Sequence, residues 1–353
     1  MELKSNNRIL LFPKLNKLIF IIILIALIIA GLRGYQLFSY IFRGNVSHDG
    51  TILIPGKASF QQVLDSLEKQ KLLENKKAFI WVSKKKNYPA SIKPGHYSLS
   101  KGMATNNLVN MLKAGNQSTV EVTFNQLRFM PELAGKVAHY LQPDSVELLN
   151  YLTDSAVIRK AGFNRYSFHA LFIPNTYRFY WTTTPAEFLS RMEKEYKNFW
   201  NAERRTQAKA IGLTPEEVIT LASIVQEETI QSDEKPVVAG LYLNRLKRGM
   251  LLQADPTIRY AIGDFSVHRI LNKYLTTNSP FNTYKYKGLP PGPINFPERS
   301  SIEAVLHADH NNYYYMCAKD DFSGYHNFAR TLSQHNINAE KYRRALNHKK
   351  IWH

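Results

Sequence analysis

The longest apolar run of the chain lies near its start, where residues 18–32 are all apolar or glycine. Extending the run past Arg33 to Phe38 gives the roughly 20 residues that a membrane-spanning helix needs. The run is preceded by four basic residues, Lys4, Arg8, Lys14 and Lys17. By the positive-inside rule, this pattern predicts a cytoplasmic tail over 1–17, a single transmembrane anchor over 18–38 and an extracytoplasmic remainder. A cleaved signal peptide is the alternative, although no A-x-A cleavage site follows the run.

A predicted linker, 39–50, separates the apolar run from a region in which strand-like and helix-like spacing alternate. Residues 51–54 and 96–99 are short strand candidates, and apolar residues between them recur at helical spacing. Thr105 can cap a further helix that ends at Gly115. These elements predict a small α+β module over 51–117.

The remaining residues, 118–347, predict a larger α+β domain. Alternating apolar residues over 120–124 indicate a strand, and a second strand is expected over 313–316. Thr214 and Glu217 form a capping box with Pro215 at the first helical position, so a helix is expected to begin there. Its apolar residues Val218, Leu221, Ala222 and Val225 lie on one stripe. A second helix is expected from 232–234 to 249, and a last one over 334–347.

The charge and cysteine content narrow the possible partners. The formal net charge is +18, which favours contact with polyanions such as nucleic acid, anionic lipid or an acidic cell wall. The sequence contains no zinc-finger spacing, no aromatic RNP-type motif and no basic region joined to heptads, so we expect no nucleic-acid partner. The single cysteine, Cys317, excludes an intramolecular disulfide, so the fold must depend on its hydrophobic core.

One carboxylate has a position suited to acid–base chemistry. At 100° per residue, Glu228 lies on the flank of the apolar stripe, whereas Glu227 points to the opposite side and is expected to be solvated. Partial burial and a position near the C-terminus of a helix both raise the pKa of a carboxyl group, as a general acid requires. Geometry alone favours a helix glutamate without a role, because perturbed carboxylates mark functional sites only statistically.

Several ordered sequence blocks resemble one enzyme family. They are LASIVQEET (221–229), VAGLYLNRLKRG (238–249), LQADPT (252–257), NTY (282–284) with GLPPGPI (288–294), and HNF (326–328). In order and spacing these blocks resemble the YceG-like (MltG) endolytic murein transglycosylases over roughly residues 50–347. The resemblance implies an α+β catalytic domain over 118–347, a LysM-like subdomain over 51–117 and an N-terminal anchor. It also implies that Glu228, immediately before Thr229, is the catalytic glutamate.

The resemblance implies a lyase of peptidoglycan glycan strands, involved in cell wall organisation. The bond cleaved would be the β-1,4 bond between N-acetylmuramic acid and N-acetylglucosamine, with formation of a 1,6-anhydro ring and without a metal or cofactor. The protein would be a single-pass protein of the inner or plasma membrane, in contact with lipid through residues 18–38. Cell-wall synthesis proteins are further candidate partners.

Five other residues are candidates for substrate binding. Asp255 is a candidate supporting carboxylate, although an Asp before a Pro also commonly starts a turn. Gln253, Asn282 and Tyr284 are candidates to line a glycan groove, or alternatively to satisfy the backbone of local turns. His326 is a candidate contact, although a lone histidine is more often structural.

The chain departs from the family pattern at three places. Gln226 stands where the family commonly has an acidic residue, and His169-Ala170 with Pro174-Asn175-Thr176 stands for a frequent Glu-Gly and Pro-Asp-Thr block. Asn125-Gln126-Leu127 replaces a frequent Pro-Glu-Gly. These changes leave Glu228 intact and indicate a divergent branch of the family.

Two other functions stay open at this point. In an ordinary glycoside hydrolase, Glu228 would be the acid and Asp255 the base that activates water. In a non-enzymatic tether, the small module would bind glycan and the larger domain would be inert. Anhydro product ends would indicate the lyase, reducing ends the hydrolase, and binding without cleavage the tether.

Overall fold

The computed structural model describes residues 12–267 and 270–349, and it divides into two compact units. The first unit extends to Val120 and takes in Tyr180–Thr182, and the second contains Glu121–Phe179 and the chain from Thr183 onwards. Both units combine helices with small two-stranded sheets, which confirms the α+β class.

The first unit is built around one antiparallel strand pair, in which Ile54 lies opposite Gly95 and Gly50 opposite Leu99. Ile52 and Ile54 of the first strand and Tyr97 and Leu99 of the second are buried in its core. Its elements are α1 (Phe12–Phe42), β1 (Gly50–Ile54), α2 (Phe60–Lys69), α3 (Lys76–Lys85), β2 (Gly95–Leu99) and α4 (Thr105–Ala114).

Helix α1 is longer than the predicted anchor. Its segment Lys17–Phe42 is long and apolar enough to cross a membrane, and none of that segment's apolar window is buried inside the protein. The first part of the predicted linker, 39–50, is therefore helical. Asn45 and Val46, which follow the helix within this range, are buried. The ring of Tyr40 lies 6.3 Å from that of Trp81 on α3, so this end of the helix packs against α3 where composition had predicted a linker.

The second unit is mainly helical and contains most of a strand pair, β3 with β4. A second pair, β5 with β6, is antiparallel, with Tyr315 opposite Ala329. Its elements are β3 (Thr119–Phe124), α5 (Met130–Ala138), α6 (Ser145–Thr153), α7 (Ser155–Lys160), β4 (Asn175–Tyr180), α8 (Pro185–Phe199), α9 (Ala202–Ala210), α10 (Pro215–Glu228), α11 (Lys235–Lys247), α12 (Asp255–Ile262), α13 (Asn272–Leu275), α14 (Arg299–Leu306), β5 (Tyr315–Ala318), β6 (His326–Ala329) and α15 (Leu332–His348).

Helix α10 is the central helix of the second unit. It begins at the predicted capping box, in which the amide of Glu217 donates to Thr214 Oγ1 at 3.2 Å and the amide of Thr214 donates to Glu217 Oε2 at 2.8 Å. The four residues of the predicted apolar stripe are all buried, but burial extends beyond the stripe to every residue from 218 to 225. The cause is tertiary: α9, α11, α12 and α14 all pack against α10. Glu228 is the last residue of this buried helix.

Candidate active site

The carboxyl group of Glu228 is half-buried at the C-terminal end of α10. Its Oε1 accepts a hydrogen bond of 2.7 Å from the hydroxyl of Tyr242 on α11. Loss of hydration raises the pKa of Glu228 to about 7, and the negative charge of Asp255 also raises it. The hydrogen bond from Tyr242 and the charges of Arg245 and Arg259 act in the opposite direction. At neutral pH both forms of this carboxyl group are therefore populated, which suits a group that must both give and take a proton.

A second carboxylate lies beside it, at the start of α12. Asp255 Oδ1 accepts a hydrogen bond from the hydroxyl of Tyr284. Burial and nearby carboxylates raise the pKa values of the Tyr242 and Tyr284 hydroxyls above their usual range. Both tyrosines therefore stay neutral and donate hydrogen bonds to the two carboxylates.

The start of α12 is fixed to the loop that carries Tyr284. The hydroxyl of Thr283 accepts from the amide of Ala254 at 3.0 Å and lies 2.8 Å from the hydroxyl of Thr257. The carbonyl oxygen of Thr283 accepts from the amide of Gln253 at 3.1 Å. These bonds join the LQADPT and NTY blocks into one structural unit and so place Asp255 and Tyr284 together.

Arg245 supports the same region from α11. Its side chain is 8% exposed, and it donates to the carbonyl of Tyr314 at 2.6 Å and to that of Leu252 at 2.8 Å. Gly240 lets α11 approach the loop after α14, since a Cβ at this position would lie 2.2 Å from the carbonyl oxygen of Asp309. Sequence reasoning missed Tyr242, Arg245 and Arg259. The sequence contains one weak signal for two of these residues: Tyr242 and Arg245 are three positions apart and therefore share one side of a helix.

The structure places the predicted binding residues in different surroundings. Gln253 is exposed, two residues before Asp255, and has a left-handed backbone with φ 50°. Asn282 is fully buried; its amide donates to the carbonyls of residues 275 and 277, and its Oδ1 accepts from the amide of Tyr284. This geometry favours the local turn role of Asn282 over contact with a ligand.

His326 belongs to a neighbouring network centred on Glu234, which is 6% exposed. Glu234 accepts from the backbone amide of His326 at 2.7 Å, and its Oε2 lies 2.9 Å from Nδ1 of the same residue. The hydroxyl of Thr229 also donates to Glu234, at 3.2 Å. The network therefore ties β6 to the residue that follows Glu228, and it gives His326 a structural function.

Glu227 is exposed, as helical geometry predicted, but its carboxylate is paired. Both of its carboxylate oxygens accept from Arg128 Nη2 at 2.9 Å, and Oε1 also accepts from the amide of Asn295 at 2.8 Å. The adjacent Gln226 accepts from the amide of Glu298 at 2.7 Å. An acceptor oxygen is thus kept at the position where the family commonly has an acidic residue.

Within residues 12–267 and 270–349, no three His, Cys, Asp or Glu side chains are grouped so that they could hold a metal ion.

A carboxyl group with a near-neutral pKa, held among tyrosine and arginine side chains in an α+β domain, has the arrangement of a general acid–base enzyme. The profile of the YceG-like family matches residues 52–341, which is most of the chain. The chain therefore belongs to the YceG-like family.

Relatives of known name agree with this assignment. An endolytic murein transglycosylase of Bacillus subtilis strain 168 is 30% identical, over 84% of this chain and 86% of the relative. One from Streptococcus pneumoniae strain D39 is 28% identical over 91% of this chain, which spans 64% of that longer relative. A crystal structure described as a YceG-like protein of Listeria monocytogenes is 26% identical and covers 82% of this chain and 98% of its own, with a TM-score of 0.54.

Proposed function

We propose that this protein is a peptidoglycan lytic transglycosylase in which Glu228 is the single general acid and base. The observation that carries the assignment is the Glu228 carboxyl group, whose pKa burial raises to about 7 at the end of a central helix. Family membership and relatives named endolytic murein transglycosylase supply the substrate class, which is the glycan strand of peptidoglycan.

The first step of the proposed reaction is proton transfer from Glu228 to the oxygen that links the anomeric carbon of N-acetylmuramic acid to N-acetylglucosamine. The bond between the anomeric carbon and this oxygen breaks, and the N-acetylglucosamine end leaves with a free 4-hydroxyl. The muramoyl N-acetyl oxygen stabilises the positive anomeric carbon, so the protein needs no carboxylate nucleophile. The mechanism belongs with the substrate-assisted exceptions to two-carboxylate glycosidases.

In the second step, the ionised Glu228 removes the proton of the muramoyl 6-hydroxyl, and this oxygen attacks the anomeric carbon. The product is a 1,6-anhydro ring, Glu228 regains its proton, and no water is consumed. Tyr242 holds Glu228 Oε1 throughout, and Asp255 with Tyr284 forms the polar wall beside the reacting groups. Exposed Gln253 is the proposed contact with a sugar hydroxyl or amide.

The chain organisation fits the same proposal. Helix α1, which spans the predicted anchor 18–38, anchors the protein in the inner or plasma membrane with residues 1–17 in the cytoplasm. Residues 51–117 form a LysM-like module that binds glycan, and residues 118–347 form the catalytic domain. A reporter fused after the last residue tests this topology: extracytoplasmic signal on a membrane-retained chain of full length is expected, and release of a chain that lacks residues 1–30 would show a cleaved signal peptide.

Mass spectrometry of muropeptides after digestion by the full-length protein in detergent tests the reaction. Muramoyl ends that have lost one water, as 1,6-anhydro rings, are expected. Reducing ends would instead support the second candidate, a hydrolase, which the proximity of Asp255 to Glu228 favours as an alternative. Binding of glycan without any cleavage would support the tether.

A further inference from the structure

A small cleft in the second unit lies beside the proposed catalytic residues. Its volume is about 100 Å³, and its lining residues are Arg128, Glu227, Pro256, Arg259, Phe265 and Ile294. Two of these, Glu227 and Pro256, are the chain neighbours of Glu228 and Asp255. The charge of a third, Arg259, lowers the pKa of Glu228. The cleft therefore adjoins the reacting groups.

Two guanidinium groups and one carboxylate line the cleft, so most of its polar groups are N–H donors. Arg128 is held on two sides, because its Nη2 donates to both oxygens of Glu227 at 2.9 Å and its guanidinium carbon lies 3.9 Å from the ring centre of Phe265. A guanidinium has five N–H donors in a fixed plane, so one that is already oriented by a carboxylate can bind a second anion.

The size of the cleft restricts its ligand. A volume of about 100 Å³ is well below the roughly 300–1,000 Å³ of pockets that enclose whole small molecules. A carboxylate group fits this space and a sugar ring does not. The ligand is therefore a charged substituent of the glycan rather than part of its backbone.

We propose that this cleft binds a free carboxylate of the peptide stem carried by muramoyl residues, and that Arg128 is the residue that recognises it. The inference rests on the proposed function, because it assumes a glycan strand at Glu228. Recognition of this carboxylate makes the enzyme selective for strands that still carry peptides. Arg128 directly follows the Asn125-Gln126-Leu127 segment, in which the chain departs from the family pattern.

The test compares three glycan substrates freed of anionic wall polymers: strands with peptide stems, strands whose stem carboxyl groups have been amidated, and strands without peptides. The full-length protein in detergent is assayed for anhydro product on each. We expect kcat/KM for the peptide-bearing strands to exceed that for the amidated strands by roughly 5- to 20-fold, as for one charge-assisted hydrogen bond in a partly exposed site.

In Arg128→Gln this ratio should fall to near one, and Arg128→Lys, which keeps the charge but not the planar fork, should give an intermediate ratio. Arg178→Gln is the matched control, because Arg178 pairs with Glu121 at 3.0 Å on an exposed strand surface. The control should keep the parental ratio. A purely structural ion pair would lower all three rates together and leave the ratio unchanged in Arg128→Gln, which would overturn the proposal.

The parental protein alone also decides the question if the variants fail to fold. Equal rates on peptide-bearing and amidated strands would refute carboxylate recognition while leaving the lytic reaction intact. Absence of anhydro product from all three substrates would instead contradict the proposed function.

Discussion

Helices α1 and α10 are both apolar over several consecutive turns, yet they have opposite surroundings. In α1 the side chains from Leu18 to Leu32 face outward, with Leu24 47% exposed and Ile28 54% exposed. In α10 every residue from 218 to 225 is buried by neighbouring helices. Apolar surface of this extent is stable only when it is removed from water, so α1 is a candidate membrane span, whereas α10 is covered by protein.

Helix α10 contains polar groups although it is buried. The hydroxyl of Thr220 donates to the carbonyl of Glu216 at 2.8 Å, and that of Ser223 donates to the carbonyl of Thr220 at 2.7 Å. Each of these hydroxyls is satisfied, so its burial costs little. Glu228, in contrast, carries an ionisable group at the end of the same helix, and burial changes its chemistry.

The largest expected effect is on catalysis at the end of α10. Glu228→Gln keeps the shape of the side chain but removes its transferable proton, so anhydro-product formation should fall by about 10⁴-fold, the top of the range for general acid–base groups. Glu227→Gln changes the adjacent residue, which pairs with Arg128, and should lower the rate by only a few-fold. Product formation by muropeptide mass spectrometry measures both. A dead Glu227→Gln with an active Glu228→Gln would reverse the assignment.

The next effect separates protein from lipid as the environment of the two helices. Ile224→Asp places an unpaired charge in the fully buried part of α10, and should lower the free energy of unfolding by roughly 4 kcal/mol or more. Ile28→Asp, on exposed α1, should leave unfolding of the second unit unchanged but weaken membrane retention, because an Asp near the centre of a spanning helix costs about 3 kcal/mol. Thermal unfolding in detergent and membrane fractionation distinguish the outcomes. Equal unfolding effects of both substitutions would show that α1 is a core helix.

A third effect follows from the raised pKa of Glu228. Since this pKa is about 7 in the folded chain and 4.5 for the unperturbed group, ionisation opposes folding, and stability is lost as pH rises through 7. Relative to the parent, Glu228→Gln should therefore gain nothing below pH 4.5 and up to roughly 2–3 kcal/mol above pH 7. Melting temperatures measured from pH 4.5 to 8.5 test this. A difference that does not change with pH would contradict the burial of an ionisable carboxyl group.

The start of α10 could be predicted from sequence because its capping box is local, and the family resemblance selected Glu228 over Glu227. The full burial of α10 could not, because it depends on how α9, α11, α12 and α14 pack around it in the fold. Arg245 was missed for the same reason: its function is to bind the carbonyls of Tyr314 and Leu252, and only the fold brings these together.

His169 shows a further limit of prediction from sequence. It was identified as a departure from the family pattern, but not as a core residue. In the structure it is half-buried, and its ring centre lies 5.1 Å from that of Phe296. Its two ring nitrogens are shielded from solvent and are without hydrogen bonds within the part of the chain that the structure describes. Burial lowers the pKa of His169 to about 4, so the imidazole is neutral at physiological pH. Comparison with the family pattern identifies His169 as a replacement, whereas the residues that pack against it can be identified only from the tertiary structure.

The smallest predicted effect concerns the hydrogen bond that opposes burial at Glu228. Tyr242 donates to Glu228 Oε1 and stabilises the ionised form, so Tyr242→Phe should raise the pKa of Glu228 further while the charges of Asp255, Arg245 and Arg259 stay in place. If Glu228 must be protonated to act, the descending alkaline limb of the kcat/KM profile should move to higher pH by roughly half to one unit, the equivalent of one hydrogen bond.

The matched control for this substitution is Tyr180→Phe, which removes the hydroxyl of a tyrosine that is 52% exposed, and it should leave the profile in place. A loss of packing at Tyr242 would lower the rate at every pH without moving the limb. A shift to lower pH would mean that the tyrosine stabilises the protonated carboxyl group instead. Only an upward shift agrees with a buried acid whose pKa is set by desolvation in one direction and by a neutral tyrosine donor in the other.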